Sequence, residues 1–226
     1  MFSTAQREKL VDTMEQSGYS VAIIGCTGAV GQEMITSLHR RKFPISNLSL
    51  YASQRSAGKT MTTPYGNIIV TLFSVEAART NDIVLMAVSG TFALEHGKAI
   101  AAQPEGALVI DNSSAFRYDD DIPLVVPEIN CEAAEGHMLI ANPNCTTAIA
   151  SVVLWPLHQA FGGLKRVIVS TYQASSGAGA EGMAELQEGT RSVLNGGECP
   201  TKVFAHPLGK VQEYLYVCFF NDCFFF

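Results

Sequence analysis

The sequence has no excess of basic residues, and this absence is the first constraint on its function. Lys and Arg number 15 against 21 Asp and Glu, which gives a formal net charge of −6 at pH 7. Binding to a nucleic-acid backbone depends on cationic side chains that displace its counterions. Nucleic acid is therefore not expected as a partner.

The cysteines show none of the spacings that indicate a zinc site or a disulfide framework. No Cys-x-x-Cys pair is present among Cys26, Cys131, Cys145, Cys199, Cys218 and Cys223. Scattered cysteines of this kind fit a reducing compartment and predict no metal site. We expect a cytoplasmic protein, and a plastid location would require a transit peptide ahead of this sequence.

Long hydrophobic runs are also missing. No segment reaches the roughly 20 apolar residues that a membrane helix needs. Residues 1–18 contain Glu8, Asp12 and Glu15 and lack the apolar core of a secretory signal, so we interpret them as a short leading helix. We expect no membrane partner.

Short apolar segments alternate with helical ones, which is typical of a parallel sheet whose strands are joined by helices. With 47% apolar residues in 226, the chain is long enough to bury a sizeable core. The expected strands are residues 19–24, 47–52, 68–73, 82–88 and 107–110, and the expected helices are 31–41 and 146–161. This pattern predicts an α/β fold with a doubly wound, Rossmann-type sheet over residues 1–142 and a second domain over residues 143–226.

A glycine-rich segment follows the first expected strand directly and begins a helix. It runs Gly25-Cys26-Thr27-Gly28-Ala29-Val30-Gly31, so its spacing is G-x-x-G-x-x-G. Glycines here permit a tight turn and allow backbone N–H groups to approach a pyrophosphate at the helix N-terminus. The segment predicts a dinucleotide site, and the alternative is a turn that serves only strand-to-helix packing.

The residues after the second strand bear on which dinucleotide is bound. A site for NAD would place Asp or Glu there, but residues 51–59 contain Arg55 and Lys59 and no acid. An arginine suits a 2′-phosphate, so NADP is favoured. Lys59 is the weaker candidate, because an exposed lysine is the ordinary case.

One cysteine stands apart from the others because it lies where a turn becomes a helix. Cys145 follows Asn142-Pro143-Asn144, and a helix N-terminus stabilises a thiolate. Cys26 and Cys131 have no such setting and are interpreted as packing residues. Cys145 is the candidate nucleophile.

Four motifs in this order closely resemble aspartate-semialdehyde dehydrogenase. They are the glycine loop, Asp111-Asn112-Ser113-Ser114-Ala115-Phe116-Arg117, Asn142-Pro143-Asn144-Cys145-Thr146-Thr147 and the segment from Ser170 to Gly179. The resemblance extends from Tyr19 to about Leu208. The sequence Asn-Cys-Thr-Thr separates the chain from N-acetyl-glutamyl-phosphate reductase, which typically has Gly before the cysteine, and from glyceraldehyde-3-phosphate dehydrogenase.

The resemblance implies NADPH-dependent reduction of 4-phospho-L-aspartate to L-aspartate 4-semialdehyde and phosphate, a step in lysine, threonine, methionine and isoleucine biosynthesis. It implies a thioester on Cys145, with Gln173 orienting the acyl group, and Arg117 and Asn144 binding the substrate. For Arg117, an ion pair with Asp119, Asp120 or Asp121 is the alternative. The implied cofactor contacts are Gly25, Thr27, Gly28, Ala29, Val30, Gly31, Ser53, Arg55, Ser56, Ser89, Asn112, Ser176 and Gly177. A homo-oligomer is implied for the complete protein.

The resemblance ends within the second domain, which we expect to be an incomplete α+β catalytic and dimerisation domain. The family's acid/base histidine and carboxylate-binding arginine cannot be matched here. His206 lies in a segment that resembles a non-catalytic one. Residues 209–226 form an atypical, aromatic tail. Two alternatives therefore stay open: a catalytically inactive, NADP-binding fragment, or a related acyl-phosphate reductase such as N-acetyl-glutamyl-phosphate reductase.

Overall fold

The structure is a computed structural model, and it describes residues 18–171 and 173–208. The leading helix expected before Gly18 and the aromatic tail at 209–226 lie outside these described residues. Tyr172, within the fourth motif, lies outside them as well.

Six parallel strands form the main sheet, in the spatial order β5-β2-β1-β6-β7-β8. The strands are β1 (Tyr19–Ile24), β2 (Ile45–Ala52), β5 (Thr71–Leu72), β6 (Ile83–Met86), β7 (Leu108–Asp111) and β8 (Leu139–Ala141). The register aligns the ends of these strands to within one residue, since Ile24 pairs with both Tyr51 and Met86, and Asp111 pairs with both Met86 and Ala141. The first expected strand is confirmed at both ends.

Helices connect most of these strands. They are α1 (Ala29–Arg40), α2 (Val75–Arg79), α3 (Gly90–Ala101), α4 (Pro127–Asn130), α5 (Cys145–Ala160) and α6 (Gly179–Leu194), with short 3₁₀ helices at Cys131–Ala134 and Ser175–Ala178. The expected helices at 31–41 and 146–161 are both present, beginning two residues and one residue earlier, respectively.

The side chains of β1 alternate between two hydrophobic cores, one on each face of the sheet. Val21 and Ile23 pack in the core that includes Ile35 of α1. Ala22 and Ile24 pack in the other, which includes residues of α2 and α3. Each large apolar side chain removed from water contributes about 1.5–3 kcal/mol. Helices therefore cover both faces, and the predicted doubly wound sheet is confirmed.

The segment expected as one strand at 68–73 is divided between two sheets. Gly66–Ile69 (β4) pairs with Thr60–Thr63 (β3) in an antiparallel hairpin, whereas Thr71–Leu72 joins the edge of the main sheet. Between them, Val70 is buried, and its backbone exchanges hydrogen bonds with Gly58 and Lys59. The apolar run thus changes partners at Val70, which a one-strand interpretation could not anticipate.

The contacts divide the chain into two compact units, residues 1–155 and 156–226. We describe each unit by itself, and the domain boundary expected after Asn142 stays a prediction. In the part of the chain that the structure describes, no helix is long and apolar enough to cross a membrane.

Candidate active site

The sequence-predicted site residues of the first unit lie where the parallel strands end. Because the strands are parallel, the segments after β1, β2, β6, β7 and β8 all leave the same edge of the sheet. The chain passes from β1 outward to β2 and β5, and then returns to β6 on the other side of β1. Ligands of open α/β sheets bind at this kind of switch point.

At the switch point the glycine loop approaches the end of β6 closely. Gly25 has φ of +84°, and a Cβ atom there would collide with the carbonyl oxygen of Ala87. Gly31 is closed in by the backbone of Gly25 and Cys26, so a Cβ atom would collide there as well. Both positions therefore require glycine on steric grounds. This steric requirement is expected both for a turn that serves only packing and for a cofactor-binding loop.

Gly28 leaves the start of α1 open towards solvent. It is the N-cap residue, without a side chain to cap the helix, and the first intrahelical bond runs from Gln32 N to Gly28 O at 3.0 Å. Thr27, Ala29 and Val30 beside it are exposed. Helix N-termini carry N–H groups without intrahelical partners and a partial positive charge, which together favour an anion.

A compact turn after β2 carries Arg55. Ser56 N and Ala57 N both donate to the carbonyl oxygen of Ser53, at 2.9 and 3.1 Å, and Ser56 is buried beneath the turn. Ser53 and Arg55 are exposed. Within residues 18–171 and 173–208 Arg55 makes no ion pair, so its guanidinium keeps its charge available for a ligand.

Ser89, after β6, is the N-cap residue of α3. Its hydroxyl accepts a hydrogen bond from Phe92 N at 3.4 Å. A hydroxyl that accepts one bond keeps its own proton for another acceptor. Capping and a cofactor contact are compatible at this residue.

Arg117 is fixed by carbonyl groups from two strand ends. Its Nε donates to Asn142 O at 3.0 Å, and its Nη2 donates to Asn112 O at 3.1 Å. No ion pair of Arg117 is present among the described residues, and Asp119 instead contacts Lys98 Nζ at 3.0 Å. The lysine holds the pKa of Asp119 below its usual value. The expected ion pair of Arg117 with a neighbouring aspartate is therefore not present among the described residues, and its guanidinium retains further N–H donors.

Cys145 is the first residue of the sixteen-residue helix α5, as the sequence predicts. The side chain of Asn144 accepts from Thr146 N at 2.9 Å, which caps the helix. The Cys145 thiol is free and exposed, 4.0 Å from Thr146 Oγ1. An exposed sulfur in the first turn of a long helix fits the requirements of a nucleophile.

Cys26, inside the glycine loop, differs from Cys145 in its exposure. It is fully buried, and burial raises the pKa of its thiol to about 11. Such a thiol stays protonated and unreactive near neutral pH. The interpretation of Cys26 as a packing residue agrees with this environment. The same interpretation of Cys131 is wrong, because Cys131 is exposed.

The second unit contains the other predicted site residues. Gln173 is exposed, and Ser176 and Gly177 lie in the 3₁₀ helix Ser175–Ala178, which leads directly into α6. His206 lies near the end of the described residues, outside any regular element. The roles assigned to these residues stay predictions.

Two residues that the sequence did not single out organise the edge of the sheet at β7 and β8. Asn142 Nδ2 donates to Asn112 Oδ1 at 2.6 Å, which joins the two strand ends through their side chains. Asp111 is fully buried and accepts from both the backbone and the hydroxyl of Ser113, at 3.1 and 2.7 Å. The signal that could have found them is their position at the ends of two neighbouring strands, but β8 was not recognised from the sequence. Among the described residues no cluster of His, Cys, Asp and Glu is suited to a metal ion.

Comparisons with known proteins agree with this arrangement. Residues 20–137 match the NAD-binding domain of semialdehyde dehydrogenase, and residues 154–210 match its dimerisation domain. Aspartate-semialdehyde dehydrogenase of Synechocystis sp. is 43% identical over 189 residues, which are 83% of this chain and 55% of the relative. The chain thus spans about half the length of the curated relatives it matches.

Solved structures give the same result. Aspartate-semialdehyde dehydrogenase II of Vibrio cholerae in complex with ASA is 40% identical, with a TM-score of 0.73, and the match covers 84% of this chain and 56% of that one. The Candida albicans enzyme with NADP is 26% identical, with a TM-score of 0.54, over 65% of this chain and 48% of that one. The match of the NAD-binding domain extends over more than half of the 226 residues, and the chain therefore belongs to the semialdehyde dehydrogenase family.

Proposed function

We propose that the protein to which this sequence belongs reduces 4-phospho-L-aspartate to L-aspartate 4-semialdehyde and phosphate with NADPH. The observation that carries this proposal is the position of Cys145, exposed at the start of α5, on the sheet edge that also holds the glycine loop and Arg117. The names of the relatives support L-aspartate 4-semialdehyde as the aldehyde, and the resemblance implies the acyl phosphate and the lysine, threonine, methionine and isoleucine pathways.

Cys145 acts as the nucleophile in this proposal. Its thiolate attacks the acyl carbon, the C–O bond to phosphate breaks, and inorganic phosphate leaves with the bonding electrons. The acyl group is then held as a thioester on the sulfur. When bound, NADPH supplies the hydride that reduces this thioester to the aldehyde. The α5 N-terminus favours the negative sulfur before attack and after release.

Arg117 binds the phosphate group in this proposal. Its carbonyl tethers at Asn112 and Asn142 fix the plane of the guanidinium, so little conformational entropy is lost when the anion binds. The donors left free form charge-assisted bonds to phosphate oxygens. Asn144 and Gln173 hold and orient the acyl group, as the resemblance implies.

The residues present fit NADP. The side-chain-free cradle at Gly25 and Gly28 allows a pyrophosphate to reach the N–H groups of α1, and the exposed Arg55 suits a 2′-phosphate. The NADP in the Candida albicans relative supports this assignment. Ser53, Ser89 and Asn112 follow strands at the same edge, whereas Ser56 is buried beneath the turn that carries Arg55. Ser176 and Gly177 are further cofactor contacts that the resemblance implies.

The second candidate is a protein that binds NADP without turnover. The glycine loop and the exposed Arg55 serve cofactor binding without a part in turnover, so the same geometry also fits this candidate.

One assay separates the two candidates. Reduction of NADP by L-aspartate 4-semialdehyde, dependent on added phosphate, is measured for the full chain and for Cys145→Ala. Turnover that disappears in the variant supports the reductase. Cofactor binding without turnover supports the second candidate, and the absence of both contradicts the whole assignment.

The cofactor assignment has a direct test. Titration with NADPH and NADH is expected to give tighter binding of NADPH, and Arg55→Ala to lose about 1.5–3 kcal/mol of that preference, since charge-assisted bonds have this strength. Arg41→Ala, which removes an exposed charge at the other end of α1 from the glycine loop, is the control. Lys59→Ala tests the weaker candidate. Equal affinities, or a preference that is unchanged in Arg55→Ala, would contradict the role of Arg55.

The nucleophile also has a test that does not need turnover. Limited alkylation at neutral pH, mapped by mass spectrometry, is expected to label Cys145 before the others. Cys131 is the sharpest comparison, because it is also exposed but lies 3.8 Å from the Glu132 carboxylate. Faster labelling of Cys131 than of Cys145 in the folded protein would rule out an activated thiolate at Cys145.

A further inference from the structure

The ends of β7 and β8 are joined by a pair of asparagine side chains. Asn142 N donates to Asp111 O at 2.8 Å, which continues the strand pairing, and Asn142 Nδ2 then donates to Asn112 Oδ1 at 2.6 Å. The bond connects residues 30 positions apart in the sequence. Both side chains are half-buried, so water does not freely compete for the bond.

This bond determines which end of the Asn112 carboxamide is available to a ligand. A carboxamide offers a carbonyl oxygen at one end and an NH₂ group at the other. With its oxygen engaged by Asn142, Asn112 retains its NH₂ group. Within residues 18–171 and 173–208 this nitrogen makes no hydrogen bond, so Asn112 presents an unused donor.

The backbone around the pair is held as firmly as the side chains. Asn112 N donates to Met86 O at 3.1 Å, and the carbonyl oxygens of Asn112 and Asn142 both accept from Arg117. The backbone is therefore fixed at both Asn112 and Asn142. Rotation of the Asn112 carboxamide by half a turn is then opposed mainly by the single bond from Asn142.

We propose that Asn142 is a positioning residue, whose amide fixes Asn112 as a hydrogen-bond donor towards the nicotinamide end of the cofactor. In the sheet order the ends of β7 and β8 lie on the opposite side of β1 from β2, whose following turn carries Arg55, so the end of the dinucleotide opposite the 2′-phosphate would face them. The group that Asn112 serves there is a hydrogen-bond acceptor, such as the carboxamide oxygen of nicotinamide. This inference rests on the proposed binding of NADP. It assigns to Asn142 an effect on one end of the dinucleotide and none on the other.

Two substitutions alter the orientation of Asn112 in different ways. Asn142→Ala removes the donor and leaves Asn112 free to rotate. Asn142→Asp replaces the donor by an acceptor, so the NH₂ group of Asn112 turns towards residue 142 and its oxygen faces the ligand. Two acceptors then oppose each other across the site, which weakens binding more than the loss of one hydrogen bond does.

The experiment compares NADP with 2′-phospho-ADP-ribose, which lacks the nicotinamide, by calorimetric titration of the full chain. For Asn142→Asp we expect the Kd of NADP to rise about tenfold or more, and for Asn142→Ala about two- to fivefold. The Kd of 2′-phospho-ADP-ribose is expected to change less than about twofold in both variants. Asn47→Asp, exposed near the amino end of β2 on the opposite edge, controls for the added charge.

The outcomes distinguish this inference from the proposed function. If neither ligand binds the unaltered chain, the cofactor assignment itself fails. If both ligands bind but Asn142→Asp weakens them equally, or weakens neither, the positioning role of Asn142 is wrong. Should Asn142→Asp fail to fold by circular dichroism, the same comparison in Asn142→Ala decides, since it introduces no charge.

Discussion

Each of the two units of the chain is stabilised internally by a different kind of interaction. In the first unit, apolar side chains fill a core on each face of the sheet, and many are fully buried. In the second unit, over residues 156–171 and 173–208, the buried residues are Gly182, Glu185 and Gly189, and no apolar side chain is among them. Burial of apolar area depends little on pH, whereas a carboxylate acts only while it is charged.

Glu185 connects α6 to the chain that follows it. Its carboxylate accepts hydrogen bonds from the backbone N–H groups of Lys202, Val203 and Phe204. Burial raises the pKa of Glu185, but the backbone bonds and the charge of Lys202 outweigh it, so the pKa lies below its ordinary value. In the second unit a charged side chain therefore joins two separate segments of the chain, whereas in the first unit apolar side chains do so.

The largest effect is expected in the core of the first unit. Phe116 is almost fully buried and packs against Gly97, where an added Cβ atom would lie 3.0 Å from its ring. Truncation of a buried phenylalanine costs about 3–5 kcal/mol, so Phe116→Ala should lower the free energy of unfolding by that amount. Denaturant titration followed by circular dichroism measures it.

Phe161→Ala is the matched control for Phe116→Ala, because Phe161 is 76% exposed. We expect a change within about 0.5 kcal/mol. Losses of equal size at the two positions would mean that burial in the first unit does not distinguish it from the second.

The sequence predicted the parts of the first unit that depend on local patterns. The apolar segment of β1, the glycine loop and the start of α5 at Cys145 were each found within a few neighbouring residues. The strand β8 was missed, since three residues carry too little alternation to be recognised. The hairpin of β3 and β4 was missed because its pairing ends at Val70, inside one apolar run.

The contacts between strand ends could not be predicted from the sequence. The bond between Asn112 and Asn142, and the two bonds from Arg117, depend on β7 and β8 being neighbours in the sheet. Strand order is a property of the whole topology and leaves no signal within a short segment. For the same reason the motifs predicted Arg117 as an anion ligand but could not predict the carbonyl groups that fix it.

An intermediate effect, dependent on pH, is expected in the second unit. Glu185→Gln keeps the shape of the side chain and removes its charge, so the three backbone N–H groups should lose protection. Because the pKa of Glu185 is lowered on folding, its stabilising effect is present above about pH 4.5 and is lost as the pH falls through the folded value. Hydrogen exchange at residues 202–204, corrected for intrinsic rates, measures both changes.

Glu188→Gln is the control for Glu185→Gln, because Glu188 lies exposed on the same helix. It should leave protection at residues 202–204 unchanged at every pH. Equal protection in Glu185→Gln and the unaltered chain at pH 7 would show that the carboxylate does not hold this segment.

The smallest effect, with the opposite sign, is expected at Tyr65 in the first unit. Its hydroxyl oxygen is buried and has no hydrogen-bond partner among the described residues, and burial raises the pKa of this phenol. Removal of an unsatisfied polar atom is neutral or stabilising, so Tyr65→Phe should change the free energy of unfolding by between zero and about +1 kcal/mol.

Tyr51 provides the matched comparison, since its hydroxyl donates to Ala77 O at 3.1 Å. Tyr51→Phe should cost about 0.5–1.5 kcal/mol, because it removes that hydrogen bond, while Ala77 O still accepts from the side chains of Thr80 and Asn81. Denaturant titration of both variants tests the pair, and a loss at Tyr65 as large as that at Tyr51 would show that the Tyr65 hydroxyl is hydrogen-bonded in solution.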